Sequence, residues 1–126
     1  MENNNAPDPT PNTVPDYLPF DMPRFRIGQI VRHRRYGYYG LVVDFDLNCQ
    51  ADEQWYRANR SHPNQAQPWY HVLVNGSDMT TYAAEENLAP DEEHHTVTHP
   101  LVGYFFEAAT SGRYIRNDEV WPGWEG

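Results

Sequence analysis

The residues with the most chemistry to offer lie together: Arg32, His33, Arg34 and Arg35, then Tyr36, Tyr38 and Tyr39. An arginine fork can grip phosphate or carboxylate oxygens two at a time. Tyrosines beside it can pack on sugars, bases or peptide side chains. On a strand, alternation puts Arg32 and Arg34 on one face and His33 and Arg35 on the other. The cluster has three readings: contact with nucleic acid, capture of a protein segment, or a charged edge strand that keeps sheets from pairing.

Catalytic chemistry finds no such grouping. Ser61, Ser77 and Ser111 are the only serines, and none sits in a Gly-x-Ser-x-Gly elbow. Cys49, between Asn48 and Gln50, has no basic neighbour to favour its thiolate. Glu85 and Glu86 are adjacent, so on extended chain they point apart and cannot share a substrate. Asp44 and Asp46 share a strand face and are expected to pair with the arginines of a neighbouring strand. His94, His95 and His99, with Glu92 and Glu93, fall in an expected loop rather than on the rigid frame a zinc site needs. His71 reads as a buried, hydrogen-bonded histidine. No catalytic residue, cofactor, metal or small-molecule substrate is assigned.

The placement of charge bears on the arginine cluster. All nine basic residues are arginine, against 18 acids, for a net charge of -9. Residues 1–23 hold four acids and no base, residues 24–90 seven of each, and residues 91–126 seven acids against two arginines. Acidic ends repel phosphate, so nucleic-acid contact needs a local patch. Asn59-Arg60-Ser61 and Asn75-Gly76-Ser77 match the glycosylation pattern, but no secretory signal opens the chain. With one cysteine and no run of about 20 apolar residues to cross a bilayer, a cytoplasmic protein without membrane contact is expected.

At 126 residues the chain has room for one domain. Residues 1–23 carry six prolines among Asn, Asp and Thr, and are expected to form a disordered arm whose Tyr17-Leu18-Pro19-Phe20 end docks on the domain. Ile27–His33, Leu41–Asp46, Trp69–Val74 and Met79–Ala84 read as strands, with Leu41, Val43 and Phe45 on one face. Trp69–Val74, apolar on both faces except at His71, is expected to be central. Gly37 and Gly40 permit one reversal, and Asn75-Gly76 is the strongest hairpin signal. Residues 47–68, with Trp55, Tyr56, Arg57, Arg60 and His62, form a long inserted loop. Leu101, Phe105 and Ala108 have helical spacing after Pro100, with Thr98 or His99 to cap and Gly112 to end the helix. The layout is an arm (1–23), a β domain (24–90) and an acidic extension with one short helix (91–126). Near the end, Trp121 and Trp124 form either a docking peptide or a strip folded back on the domain. Packing is favoured because bare tryptophans cost solubility.

Four motifs now stand in order: Phe25-x-Ile27-Gly28-Gln29-x-Val31-Arg32-His33, Gly37-Tyr38-x-Gly40-x-Val42-Val43-x-x-Asp46, Pro68-Trp69-Tyr70-His71-Val72-Leu73-Val74, and Tyr82-x-Ala84-Glu85-Glu86-Asn87-Leu88. Together they resemble the HspQ heat-shock protein family, also called the YccV-like or hemimethylated DNA-binding domain family. The resemblance covers residues 25–88, about half the chain, and leaves the arm and the end unmatched. It implies a mainly β fold, a small SH3-like β-barrel, without catalysis. Two activities attach to such proteins: binding hemimethylated DNA, and assisting an ATP-dependent protease with damaged proteins. Related domains in ubiquitin-ligase subunits and chloroplast protease adaptors favour recognition for degradation. The expected partner is therefore a protein, either the protease or its client, with hemimethylated DNA as the alternative. Candidate binding residues for either are Arg32, His33, Arg34, Arg35, Tyr36, Tyr38, Tyr39, Trp69, Tyr70 and His71.

Overall fold

A computed structural model describes residues 22–58, 63–93, 95–107 and 114–123. Nearly all of the expected arm, with Arg60, His62, His94, Ala108, Gly112 and Trp124, lies outside the described residues. Five strands form one antiparallel sheet: β1 (Ile30–His33), β2 (Tyr39–Asp46), β3 (Trp69–Val74), β4 (Thr80–Ala84) and β5 (Leu88–Pro90). Their order is β4-β3-β2-β1-β5, so β3 is internal, as its run of buried residues requires. A short helix, α1 (Glu53–Ala58), interrupts the path between β2 and β3. Another, α2 (Val102–Phe105), leads into a two-stranded ribbon of β6 (Phe106–Glu107) and β7 (Ile115–Arg116).

Turn chemistry explains the joins. Gly37 takes φ 78° in the β1–β2 reversal, where its N–H donates to the His33 carbonyl at 2.8 Å. After β3, Asn75-Gly76 opens the reversal, and Ser77 Oγ closes it by donating to Val74 O and accepting from Met79 N–H. Only the single 3-10 turn Glu85–Asn87 joins β4 to β5. Those strands are the two edges of the sheet, and no ladder joins them among the described residues. The expected barrel is thus an open sheet: β5 is three residues long and its pairing goes to β1.

The β2–β3 register shifts between Val42 and Asp44, so the ladder skips Val43. Such a bulge flips the residues beyond it to the other face. Phe45, expected beside Leu41 and Val43, instead lies opposite Tyr70 and packs on the cluster of Val31, Val42, Tyr70, Val72 and Leu88. We call that side the inner face. Leu41, Val43 and Leu73 hold the outer face, covered by Val97, Leu101, Phe105, Phe106, Tyr114 and Trp121. Farther along that face, Trp69, Tyr82 and Ala84 lie under Trp55 and Tyr56. A sheet buried on both faces accounts for the continuous apolar run of β3.

Two local expectations change. The insertion contains α1, capped by Asp52 Oδ1 on the Trp55 N–H at 2.8 Å and braced by Glu53–Arg57 at 3.1 Å. The C-terminal helix is a single turn. His99 Nδ1 accepts the Leu101 N–H at 3.1 Å, and Phe106 is already extended because β6 pairs with β7.

Candidate functional site

β1 ends at His33, so Arg34, Arg35 and Tyr36 form an exposed turn instead of continuing the alternation. Arg34 is partly committed: its Nε donates to the Leu88 carbonyl at 3.1 Å, tying the turn to β5. The Arg35 guanidinium lies 5.7 Å from the centre of the Tyr36 ring, which is 59% exposed. His33 is buried and does not share a face with an exposed Arg35. Its ring stacks on Tyr36 at 4.7 Å, and Nδ1 accepts the N–H groups of Arg35 and Tyr36. Tyr38 is half-buried, its hydroxyl 2.7 Å from Thr81 Oγ1. His33 and Tyr38 therefore shape the turn, and Arg34, Arg35 and Tyr36 face solvent.

Arg32 belongs to a different surface. With Tyr39 it lines a groove whose other wall is Pro90, Asp91, Glu92 and Glu93. The Asp91 N–H donates to the Ile30 carbonyl just beyond the β1–β5 ladder, which brings the acidic run alongside Arg32. His95 packs beside two of these residues, its ring 3.9 Å from that of Tyr39 and its Nδ1 2.9 Å from Asp91 Oδ1. Burial works against the Asp91 carboxylate, but hydrogen bonds from His95 and from the Glu93 N–H hold its pKa below the ordinary value. Three acidic residues and one arginine therefore line the groove; the Asp91 carboxylate is itself buried against His95, whose Nε2 also lies 3.5 Å from Glu93 Oε1.

Trp69, Tyr70 and His71 are in the core. Trp69 and Tyr70 have no exposed surface, and His71 is 4% exposed. The Tyr70 hydroxyl donates to Glu85 at 2.7 Å and accepts the N–H groups of Arg24 and Phe25. It thereby fixes the entry of the chain into the domain, and it gives Glu85 a structural partner. Asp46 does not pair with the arginines of β1. It accepts hydrogen bonds from His71 Nε2 at 3.2 Å and Tyr82 Oη at 2.7 Å. Asp44 turns back to the Phe45 N–H. His99 is likewise buried, with Nε2 2.9 Å from the Met79 carbonyl. Among the described residues no three of His, Cys, Asp and Glu gather as a metal site. Burial pushes the Cys49 thiol up, away from the reactive thiolate.

These buried histidines set a pH response. Burial lowers the pKa of His71 against the pull of Asp46, and burial with the Arg35 charge lowers that of His33. Folded chain therefore keeps both neutral where unfolded chain has begun to protonate, at the ordinary value near 6.5. The unfolded state binds more protons there, so stability falls as pH drops below about 6.5. The urea midpoint is expected to decline from pH 7.5 to 5.5, and a flat or rising midpoint contradicts this. His71→Gln should reduce the slope.

In the sequence Glu92 and Glu93 stand out only as neighbours of His94, His95 and His99, not as the wall of a groove. That wall depends on β5 pairing with β1, which local pattern does not reveal. A family model described as hemimethylated DNA-binding protein YccV like matches residues 23–113. F-box only protein 21 is 36% identical over 99 residues in Homo sapiens and in Pongo abelii, and 35% in Mus musculus. Each alignment covers 76% of this chain and 16% of the relative, so the shared stretch is one part of a much longer protein. No described helix is long and apolar enough to cross a membrane.

Proposed function

The chain belongs to the YccV-like family, and from that premise we propose that it is a non-enzymatic protein-recognition module. It would serve as an adaptor or specificity factor that brings damaged proteins to ATP-dependent proteolysis. The observation that carries this reading is the groove at Arg32, where Asp91, Glu92 and Glu93 outweigh the one arginine. A net-negative groove repels a phosphate backbone. It favours a polypeptide that offers a cation to the carboxylates and an apolar or aromatic group to Tyr39. The F-box only protein 21 relatives support a protein partner in one respect: the shared stretch sits in proteins named for another module, the F-box.

Hemimethylated DNA is the second reading. It is favoured by the family's description and by the exposed turn Arg34-Arg35-Tyr36. There the phosphate contacts would be few, and the acidic groove would flank them.

The groove is tested by binding of a reduced, carboxamidomethylated unfolded protein of net positive charge. Glu92 and Glu93 are exposed, so Glu92→Gln with Glu93→Gln removes charge without touching the buried Asp91 side chain. Binding is expected to weaken by about tenfold at low salt, mostly through slower association. Unchanged affinity would remove the groove from the account.

A further inference from the structure

The turn that presents Arg34, Arg35 and Tyr36 is fastened by one titratable ring, whichever partner the Arg32 groove takes. His33 lies opposite Leu88 in the β1–β5 ladder and is 5% exposed. Its Nδ1 accepts the Arg35 N–H at 3.2 Å and the Tyr36 N–H at 3.1 Å. Two donors converge on one lone pair, so the proton of the neutral ring sits on Nε2. The Tyr36 ring stacks on the imidazole at 4.7 Å, and the Tyr38 ring lies 5.1 Å from it. The β1–β2 ladder pairs Ile30–Arg32 with Tyr39–Leu41, so the Arg35 and Tyr36 N–H groups carry none of its bonds.

We infer that His33 is a proton switch for this surface: protonation of Nδ1 opens the Arg34-Arg35-Tyr36 turn while the sheet stays folded. A proton there removes the acceptor of both N–H groups and puts a third donor at the same point. The imidazolium would also stand beside the Arg35 guanidinium. The other polar groups around the ring are engaged elsewhere. Arg34 is held by the Leu88 carbonyl and the Tyr38 hydroxyl by Thr81. On the 3-10 turn beside β5, Glu85 Oε2 takes the Tyr70 hydroxyl and the Arg24 N–H, and Glu86 is exposed. Burial and the Arg35 charge keep His33 neutral near pH 7, and no described carboxylate offsets them as Asp46 does at His71. In acid the turn therefore loses its fastening, frees Tyr36 from the stack and gains a cation.

The test is an NMR titration of the 15N-labelled full chain from about pH 7.5 to about pH 5, which spans the ordinary histidine range. The Arg35 and Tyr36 amide resonances are expected to move along a one-proton curve whose midpoint, below 6.5, is that of the His33 ring. Amides of Leu41 and Val42 on β2 should hold their positions over the same range. His33→Asn offers a side-chain oxygen that accepts N–H groups at every pH, and it should remove the movement. Amides that still move in the folded variant overturn the proposal. Should the variant fail to fold, the unaltered chain decides. A His33 ring that titrates without the two amides, or stays neutral to the end of the range, overturns the proposal. So does a turn that moves only together with the β2 amides, because it would then open only as the whole domain unfolds.

Discussion

Trp69→Ala is expected to cost about 3–5 kcal/mol of folding stability, as truncation of a buried tryptophan does. Trp69 is wholly buried and stands where sheet and insertion meet. Its ring lies 6.0 Å from Trp55, 6.4 Å from Tyr56 and 5.3 Å from Tyr82, and its Nε1 reaches the Asn64 carbonyl. The six-residue α1 buries no residue completely and cannot persist as an isolated helix. Loss of the indole should therefore release α1 as well as open a cavity. Urea unfolding reads the cost, and amide exchange at Tyr56 reads the release. Trp55→Ala, at a half-buried position, should cost clearly less. Equal losses for the two variants would contradict the placement of Trp69 as the anchor.

Gly40→Ala is expected to destabilise by about 1–3 kcal/mol or more, although alanine is the smallest possible addition. A methyl at this position would run into the Val72 side chain and the Leu73 carbonyl on β3. Side chains can turn aside, but a carbonyl held in a central ladder cannot. The double variant Gly40→Ala with Val72→Ala removes one obstacle and leaves the other. It should remain well below Val72→Ala alone in urea midpoint. A midpoint equal to that of Val72→Ala would show that the strands do not approach so closely.

The strands were legible because their signals are local. Alternation and turn residues located β1 to β4, and Trp69–Val74 was identified to its ends. The bulge was not legible, since it is a property of register between strands, and Phe45 was assigned to the wrong face for that reason. Asp52, Glu53 and Arg57 spelled a capped helix start and a favourable i,i+4 pair, a signal obscured by the length of the insertion. The double-sided burial of β3 implied covers on both faces. Which segments supplied the outer cover, α1 on one part and residues 97–107 with 114–121 on another, depended on contacts distant in sequence. The candidate site divided along the same line. The exposure of Arg34, Arg35 and Tyr36 followed from their turn. The burial of Trp69, Tyr70 and His71 and the carboxylates opposite Arg32 followed from tertiary pairing.

The proposal that the chain recognises protein rather than DNA rests on the balance of charge around Arg32. The most direct measurement is fluorescence anisotropy of labelled hemimethylated and unmethylated duplexes, titrated with the full chain at low and physiological salt. The account predicts weak binding at low salt, equal for the two duplexes and abolished at physiological salt. A preference for the hemimethylated duplex that persists at physiological salt would contradict it, and would make Arg34, Arg35 and Tyr36 the contact surface.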